Sequence, residues 1–125
     1  MAERTSGGEP KVRIRVVFGE IGMLGPGKAD LLDFIHETGS IAAAGRRMKM
    51  SYKRAWTLVE TMNAMFREPV VISSRGGEQG GGARLTPTGQ AVLAAYRRLE
   101  GEARTAGATE IAALQALTRD IPKQP

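Results

Sequence analysis

The sequence has no cysteine, one histidine and few aromatic side chains: one Trp, two Tyr and three Phe in 125 residues. Without cysteine there are no disulfides and no thiolate metal sites, although this says little about compartment. His36 stands alone, so no His-based metal cluster can form, and it reads as a surface residue of the first helix. Asp30, Asp33 and Glu37 lie on the same helix at spacings that suit an outer face, and they form no evident acid/base pair. The expectation is a protein with no cofactor and no enzymatic activity. The scarcity of aromatics leaves the core to aliphatic and Met side chains. No apolar run approaches a membrane span, and Met1 to Pro10 lacks the apolar centre of a signal peptide, so a cytoplasmic protein without membrane contact is expected.

What is present suffices for one folded domain. The chain is 42% hydrophobic and 25% charged, which separates it from disordered compositions. Its net charge of +5 is unevenly placed. Residues 1–39 balance at −1, residues 40–86 at +5 and residues 87–125 at +1. A basic excess confined to the middle third is the electrostatic footprint of a polyanion partner, with an ordinary solvated face as the alternative.

Residues 1–10 show no periodicity and read as a disordered tail, and 119–125 as a flexible one. Val12, Ile14, Val16 and Phe18 alternate with Lys11, Arg13 and Arg15, which predicts a half-buried strand with one basic face. Gly19 to Gly27 reads as a loop. Lys28 to Thr38 follows as a helix with Leu31, Leu32, Phe34 and Ile35 on its apolar side, ended by Gly39. Ser40 caps a second helix from Ile41 to about Met48, in which Gly45 is an anomaly costing about 1 kcal/mol against Ala. After the turn at Lys49 and Met50, Ser51 caps a third helix, Tyr52 to about Phe66, with Ala55, Leu58, Val59, Met62 and Phe66 on one side.

A strand over Val70 to Arg75, a glycine-rich stretch and a strand over Ala83 to Leu85 predict a hairpin with a long tip. Thr86 and Pro87 then start a helix expected to run from 87 to 118. Its apolar stripe, Val92, Leu93, Tyr96, Leu99, Ile111, Leu114 and Leu117, is longer than one small core needs, which suggests a homodimer seam. The expected fold is α+β and mostly helical: a winged helix-turn-helix over 11–118 with a long C-terminal dimerisation helix.

In that arrangement the second helix of the pair enters the major groove and its first residues meet base edges. Here these are Ser51, Tyr52, Lys53 and Arg54, with Thr57 a turn further on. Arg46, Arg47 and Lys49, with Ser40, are placed to hold the phosphate backbone. Helix N-termini favour acids through the macrodipole, so Lys53 and Arg54 at this one point to a partner rather than to local stability. Arg75, Gly76, Gly77, Gln79, Gly80 and Arg84 form the wing, whose glycines permit close approach to a phosphate or a narrow groove. Trp56, one turn from Tyr52, is expected to pack against the wing or the first strand.

The run from Gly39-Ser40-Ile41 to Met50-Ser51-Tyr52-Lys53-Arg54-Ala55-Trp56 resembles the helix-turn-helix of the molybdate-responsive ModE family. Gly76 to Gly89 resembles that family's wing and following helix, and the similarity extends from about Lys11 to Leu99. LysR-type regulators share the architecture but usually lack both signatures. The resemblance implies a dimeric regulator of molybdenum-related genes that contacts double-stranded DNA through Ser51, Tyr52, Lys53, Arg54 and the wing from Arg75 to Arg84. Full-length members carry C-terminal molybdate-binding domains with no counterpart in these 125 residues. No oxyanion site is therefore carried over, and DNA binding without sensing, or with a separate effector-sensing partner, is expected.

Two rival readings come from other classes. Gly22-Met23-Leu24-Gly25-Pro26-Gly27-Lys28-Ala29 nearly spells a nucleotide-binding P-loop, but Ala29 replaces the hydroxyl that binds magnesium, and the strand before it is not apolar throughout. A winged helix can also hold a protein partner, or bind DNA without sequence preference. The concentrated charge favours DNA over a protein partner.

Overall fold

The structure, a computed structural model, describes residues 9–74 and 82–119. The calls on the tails at 1–8 and 120–125, and on Arg75, Gly76, Gly77, Gln79 and Gly80 of the wing, fall outside the described residues. The chain is α+β and mostly helical. Its order is β1 (Val16–Val17), β2 (Met23–Leu24), α1 (Pro26–Thr38), α2 (Ile41–Arg47), α3 (Tyr52–Met65), β3 (Val71–Ser74), β4 (Gly82–Leu85), α4 (Pro87–Ala106) and α5 (Ala108–Leu117).

The first expected strand is shorter than its pattern. Lys11 to Val16 keep the alternation, with Val12, Ile14 and Val16 partly covered and Lys11, Arg13 and Arg15 exposed. Only Val16 and Val17 gain strand partners, Leu24 and Met23, from a region expected to be loop. Phe18 departs from the inward face because the chain turns there. Its amide donates to the Gly22 carbonyl at 2.8 Å, and its ring meets Phe66 edge-on with centroids 6.3 Å apart. Helix α1 begins two residues earlier than expected, with Pro26 in its first turn, where a missing N–H costs nothing.

Helices α1, α2 and α3 enclose the core: Leu31, Leu32, Ile35, Ile41, Ala44, Ala55, Val59 and Met62 are buried together with Val70, Val71, Ala83 and Leu85 from the hairpin. Gly45 has a reason here. A Cβ on it would lie 3.1 Å from the Ala55 Cβ and 3.4 Å from the Met50 carbonyl oxygen, so its bare backbone lets α2 and α3 approach closely. The cost to α2 is offset by the packing of the pair.

Strands β3 and β4 are antiparallel, with Val71 opposite Leu85 and Ser74 opposite Gly82. The base of this hairpin is fastened on two sides. The amide nitrogen of Ala83 donates to the Gly39 carbonyl at 2.9 Å, at the end of α1. The Thr86 hydroxyl donates to the Pro69 carbonyl at 2.6 Å while accepting from the Gly89 amide at the start of α4.

The expected single helix over 87–118 is two helices. Gly107 interrupts it with φ −93° and ψ 5°, outside the helical well, and its amide closes α4 on the Ala103 carbonyl at 2.8 Å. Tyr96, placed by the sequence on the dimer seam, lies in the chain's own core, where its hydroxyl donates to the Ile14 carbonyl at 2.5 Å. Next to it, Arg97 joins α4 to α1 by donating to Asp30 at 2.8 Å and to Asp33 at 2.5 Å, and it also donates to Glu100 at 2.9 Å. Partial burial opposes the guanidinium charge, but these carboxylates more than offset it and hold the Arg97 pKa above its ordinary value. Asp30 and Asp33, read as outer-face residues, are thus the α1 half of an interhelix ion cluster.

Candidate nucleic-acid interface

The α2–α3 turn is set by backbone geometry. Lys49 takes a left-handed conformation, φ 59°, and its amide donates to the Arg46 carbonyl at 3.1 Å. The Met50 amide donates to Gly45 at 2.9 Å. Both helices start on a serine cap: the Ser40 hydroxyl accepts from the Ala43 amide at 3.0 Å, and Ser51 accepts from Arg54 at 3.1 Å. Each cap satisfies one amide that the first helical turn leaves free.

Ala55, Val59 and Met62 turn α3 inward. Helical spacing then leaves Tyr52, Lys53, Trp56, Thr57 and Glu60 on its outer side, and all of these are exposed, as are Ser51 and Arg54. The Thr57 hydroxyl donates back to the Lys53 carbonyl at 2.9 Å, which leaves its oxygen able to accept a further hydrogen bond.

The basic residues divide into two groups. Arg47 is tied within the chain: it pairs with Glu37 at 3.2 Å and its guanidinium stands 5.5 Å from the centre of the Phe34 ring. Among the described residues, no acid pairs with Arg46, Lys49, Lys53 or Arg54. These four exposed cations border the α2–α3 turn and the start of α3, whose first turn holds no acidic residue. Arg84 is exposed on β4. Ser40 is partly covered and its hydroxyl oxygen is occupied in capping.

Sequence reasoning missed the residue that sets the hairpin against α3. The Asn63 side-chain oxygen accepts the amides of Val70, at 2.8 Å, and Val71, at 3.1 Å, while its nitrogen donates to the Val71 carbonyl at 3.1 Å. A polar residue on the last turns of an otherwise apolar inner face was the available signal. Trp56, expected to pack against the wing or the first strand, is 46% exposed.

The stripe predicted as a dimer seam is divided. Val92 and Leu93 pack partly against the chain's core. Leu99, Leu114 and Leu117 are exposed, Leu114 by 65% and Leu117 by 83%, while Ile111 is partly covered. The residues of the P-loop-like run serve the fold: the Lys28 ammonium donates to the Met23 carbonyl at 2.8 Å. Among the described residues no group of His, Cys, Asp and Glu gathers to hold a metal ion, and no helix is long and apolar enough to cross a membrane.

No protein-family model matches the chain. Individual proteins do. It is 47% identical over 77 residues to the molybdenum-pterin-binding protein MopB of Rhodobacter capsulatus, a stretch covering 62% of this chain and 28% of that protein. It is 45% identical over 76 residues to the molybdenum transport protein ModE of Azotobacter vinelandii, covering 61% and 28%. Against the DNA-binding transcriptional dual regulator ModE of Escherichia coli K12 it is 37% identical over 71 residues, covering 57% and 27%. The chain thus spans less than a third of the length of these curated relatives. Over the matched stretch it is a relative of the ModE and Mop molybdenum proteins, in keeping with the resemblance carried by its two capped helices and glycine-rich segment.

Proposed function

We propose that this chain is a winged helix-turn-helix that binds double-stranded DNA with sequence preference, as a homodimer on a palindromic site, and regulates molybdenum-related genes. The observation that carries the reading is the exposed group Arg46, Lys49, Lys53 and Arg54 around the α2–α3 turn, unpaired among the described residues. Lys53 and Arg54, in the first turn of α3, oppose the macrodipole, so the sequence keeps these two there at a local cost. A phosphate backbone supplies the missing negative charge. In this reading α3 enters the major groove, Lys53 and Arg54 reach guanine edges, and Arg46 and Lys49 hold phosphates. Ser51, Tyr52 and Thr57 complete the α3 contacts, and the segment from Arg75 to Arg84, between and including part of β3–β4, acts as the wing.

The dimer is supported by α5, which buries none of its residues although Ile111, Leu114 and Leu117 are apolar. A helix of ten residues is marginal in water by itself and gains stability when an apolar face is covered. A second copy covering α5 and the neighbouring Leu99 would pair two protomers, and a palindromic site then requires their α3 helices about 34 Å apart, one turn of DNA.

The names of the relatives, a transcriptional regulator, a transport protein and pterin-binding proteins, describe regulation and binding and no enzyme.

The test is duplex binding as a function of salt. A dimer neutralising about 6–10 phosphates loses about 10³–10⁵ in affinity between 50 and 200 mM salt. A flat response would instead fit a protein-interaction module.

A further inference from the structure

Trp56 is the chain's one tryptophan, and it is 46% exposed. Tyr52, one helical turn before it, is 56% exposed. Among the described residues neither ring stacks on another aromatic or lies beneath a guanidinium. Both sit on the N-terminal half of α3, next to Lys53 and away from the buried Ala55 and Val59. A chain with so few aromatics exposes two of its largest rings side by side, where burial would contribute most to a core. About half of each ring is covered by the chain, and the remaining ring surface faces solvent on the outer side of α3.

Resting on the DNA-binding reading above, we infer that Trp56, with Tyr52 beside it, determines sequence preference by apolar contact with thymine methyl groups in the major groove. The groove offers donors, acceptors and one apolar group, the thymine C5-methyl. The faces of an indole and a phenol match that group. Against a base edge without it, they would cover donors and acceptors that then lose their water partners. Lys53 and Arg54 read polar edges, so the two aromatic rings add the part of the pattern that hydrogen bonding cannot supply. Arg46 and Lys49 are left to the phosphates.

The test uses the full chain and its best duplex from selection on random DNA, with thymines replaced one at a time by deoxyuridine, which lacks only the methyl group. For the wild type, at least one replacement per half-site weakens binding about fourfold, the effect of one buried carbon. In Trp56→Ala that sensitivity disappears while the response to guanine replacements remains. Because Trp56 contributes no fully buried side chain to the core, the variant stays folded, which circular dichroism verifies. Acrylamide quenching of the lone tryptophan gives a second readout: strong in the free protein, and reduced severalfold in the complex. Duplex binding that ignores every deoxyuridine replacement, or an equal loss in wild type and Trp56→Ala, overturns this inference and leaves the DNA-binding reading intact. Absence of binding to any duplex overturns both.

Discussion

Asn63 and Val71 are joined by two hydrogen bonds of 3.1 Å, one in each direction, between the side-chain amide of α3 and the backbone of β3. With the further bond from the Val70 amide at 2.8 Å, one side chain fixes where the hairpin leaves the helix proposed to read DNA. Asn63→Ala leaves those backbone groups without partners at a part-buried site, and stability is expected to fall by about 1–3 kcal/mol. Affinity for duplex DNA falls as well, although Asn63 touches no DNA in the proposed complex. Thermal melting and a binding titration check both effects. Unchanged binding in a folded variant would mean that the hairpin's placement does not matter for DNA.

Tyr96 makes stability sensitive to alkali. Burial, reinforced by the nearby Glu100 carboxylate, pushes its hydroxyl pKa above the usual 10.0. The folded state therefore holds this proton after the unfolded chain has released it. The stabilisation is fully present below about pH 10 and is lost as pH rises through the higher folded value. Tyr96→Phe loses the bond to the Ile14 carbonyl, costing about 1 kcal/mol at neutral pH, and its stability declines less steeply above pH 10. Denaturant melts across pH 8–11 measure this difference, and parallel curves for the two proteins would contradict it.

Leu114→Glu and Leu117→Glu place charges on the exposed face of α5. If that face joins two copies, sedimentation shows a dimer for the wild type at micromolar concentration and a monomer for the variants. The monomer core, to which α5 contributes no buried residue, stays folded. A wild-type monomer would refute the dimer.

Three arginines near α3 have separable roles. Arg54→Ala costs about 1–3 kcal/mol on preferred sites and relaxes preference there. Arg46→Ala weakens all sequences alike and lowers the salt slope by about one. Arg47→Ala changes DNA affinity least, since Glu37 and Phe34 already hold that guanidinium. Titrations on preferred and arbitrary duplexes at several salt concentrations separate the three, and a uniform loss with Arg54→Ala would make it a phosphate contact.

Local signals were the legible ones. Ser40, Ser51 and Thr86 each cap the helix expected of them, because a cap is a contact within four residues. The inner faces of α1 and α3 follow from apolar spacing. What escaped depends on distant partners. The close approach at Gly45 needs Ala55, the grip of Asn63 needs β3, and the Asp30 and Asp33 cluster needs Arg97 some 64 to 67 residues away. Apolar character alone also placed Tyr96 on an outer seam rather than in the core, since periodicity marks a face without saying what covers it. The break at Gly107 was hidden by an apolar pattern that continues across it.

Selection of preferred sites from random duplex DNA by the purified protein, with and without molybdate, tests the central claim most directly. The account predicts a palindromic consensus with half-sites one helical turn apart, and a change in that consensus or its recovery with molybdate shows that this protein responds to the oxyanion. Recovery of no enriched sequence would contradict it.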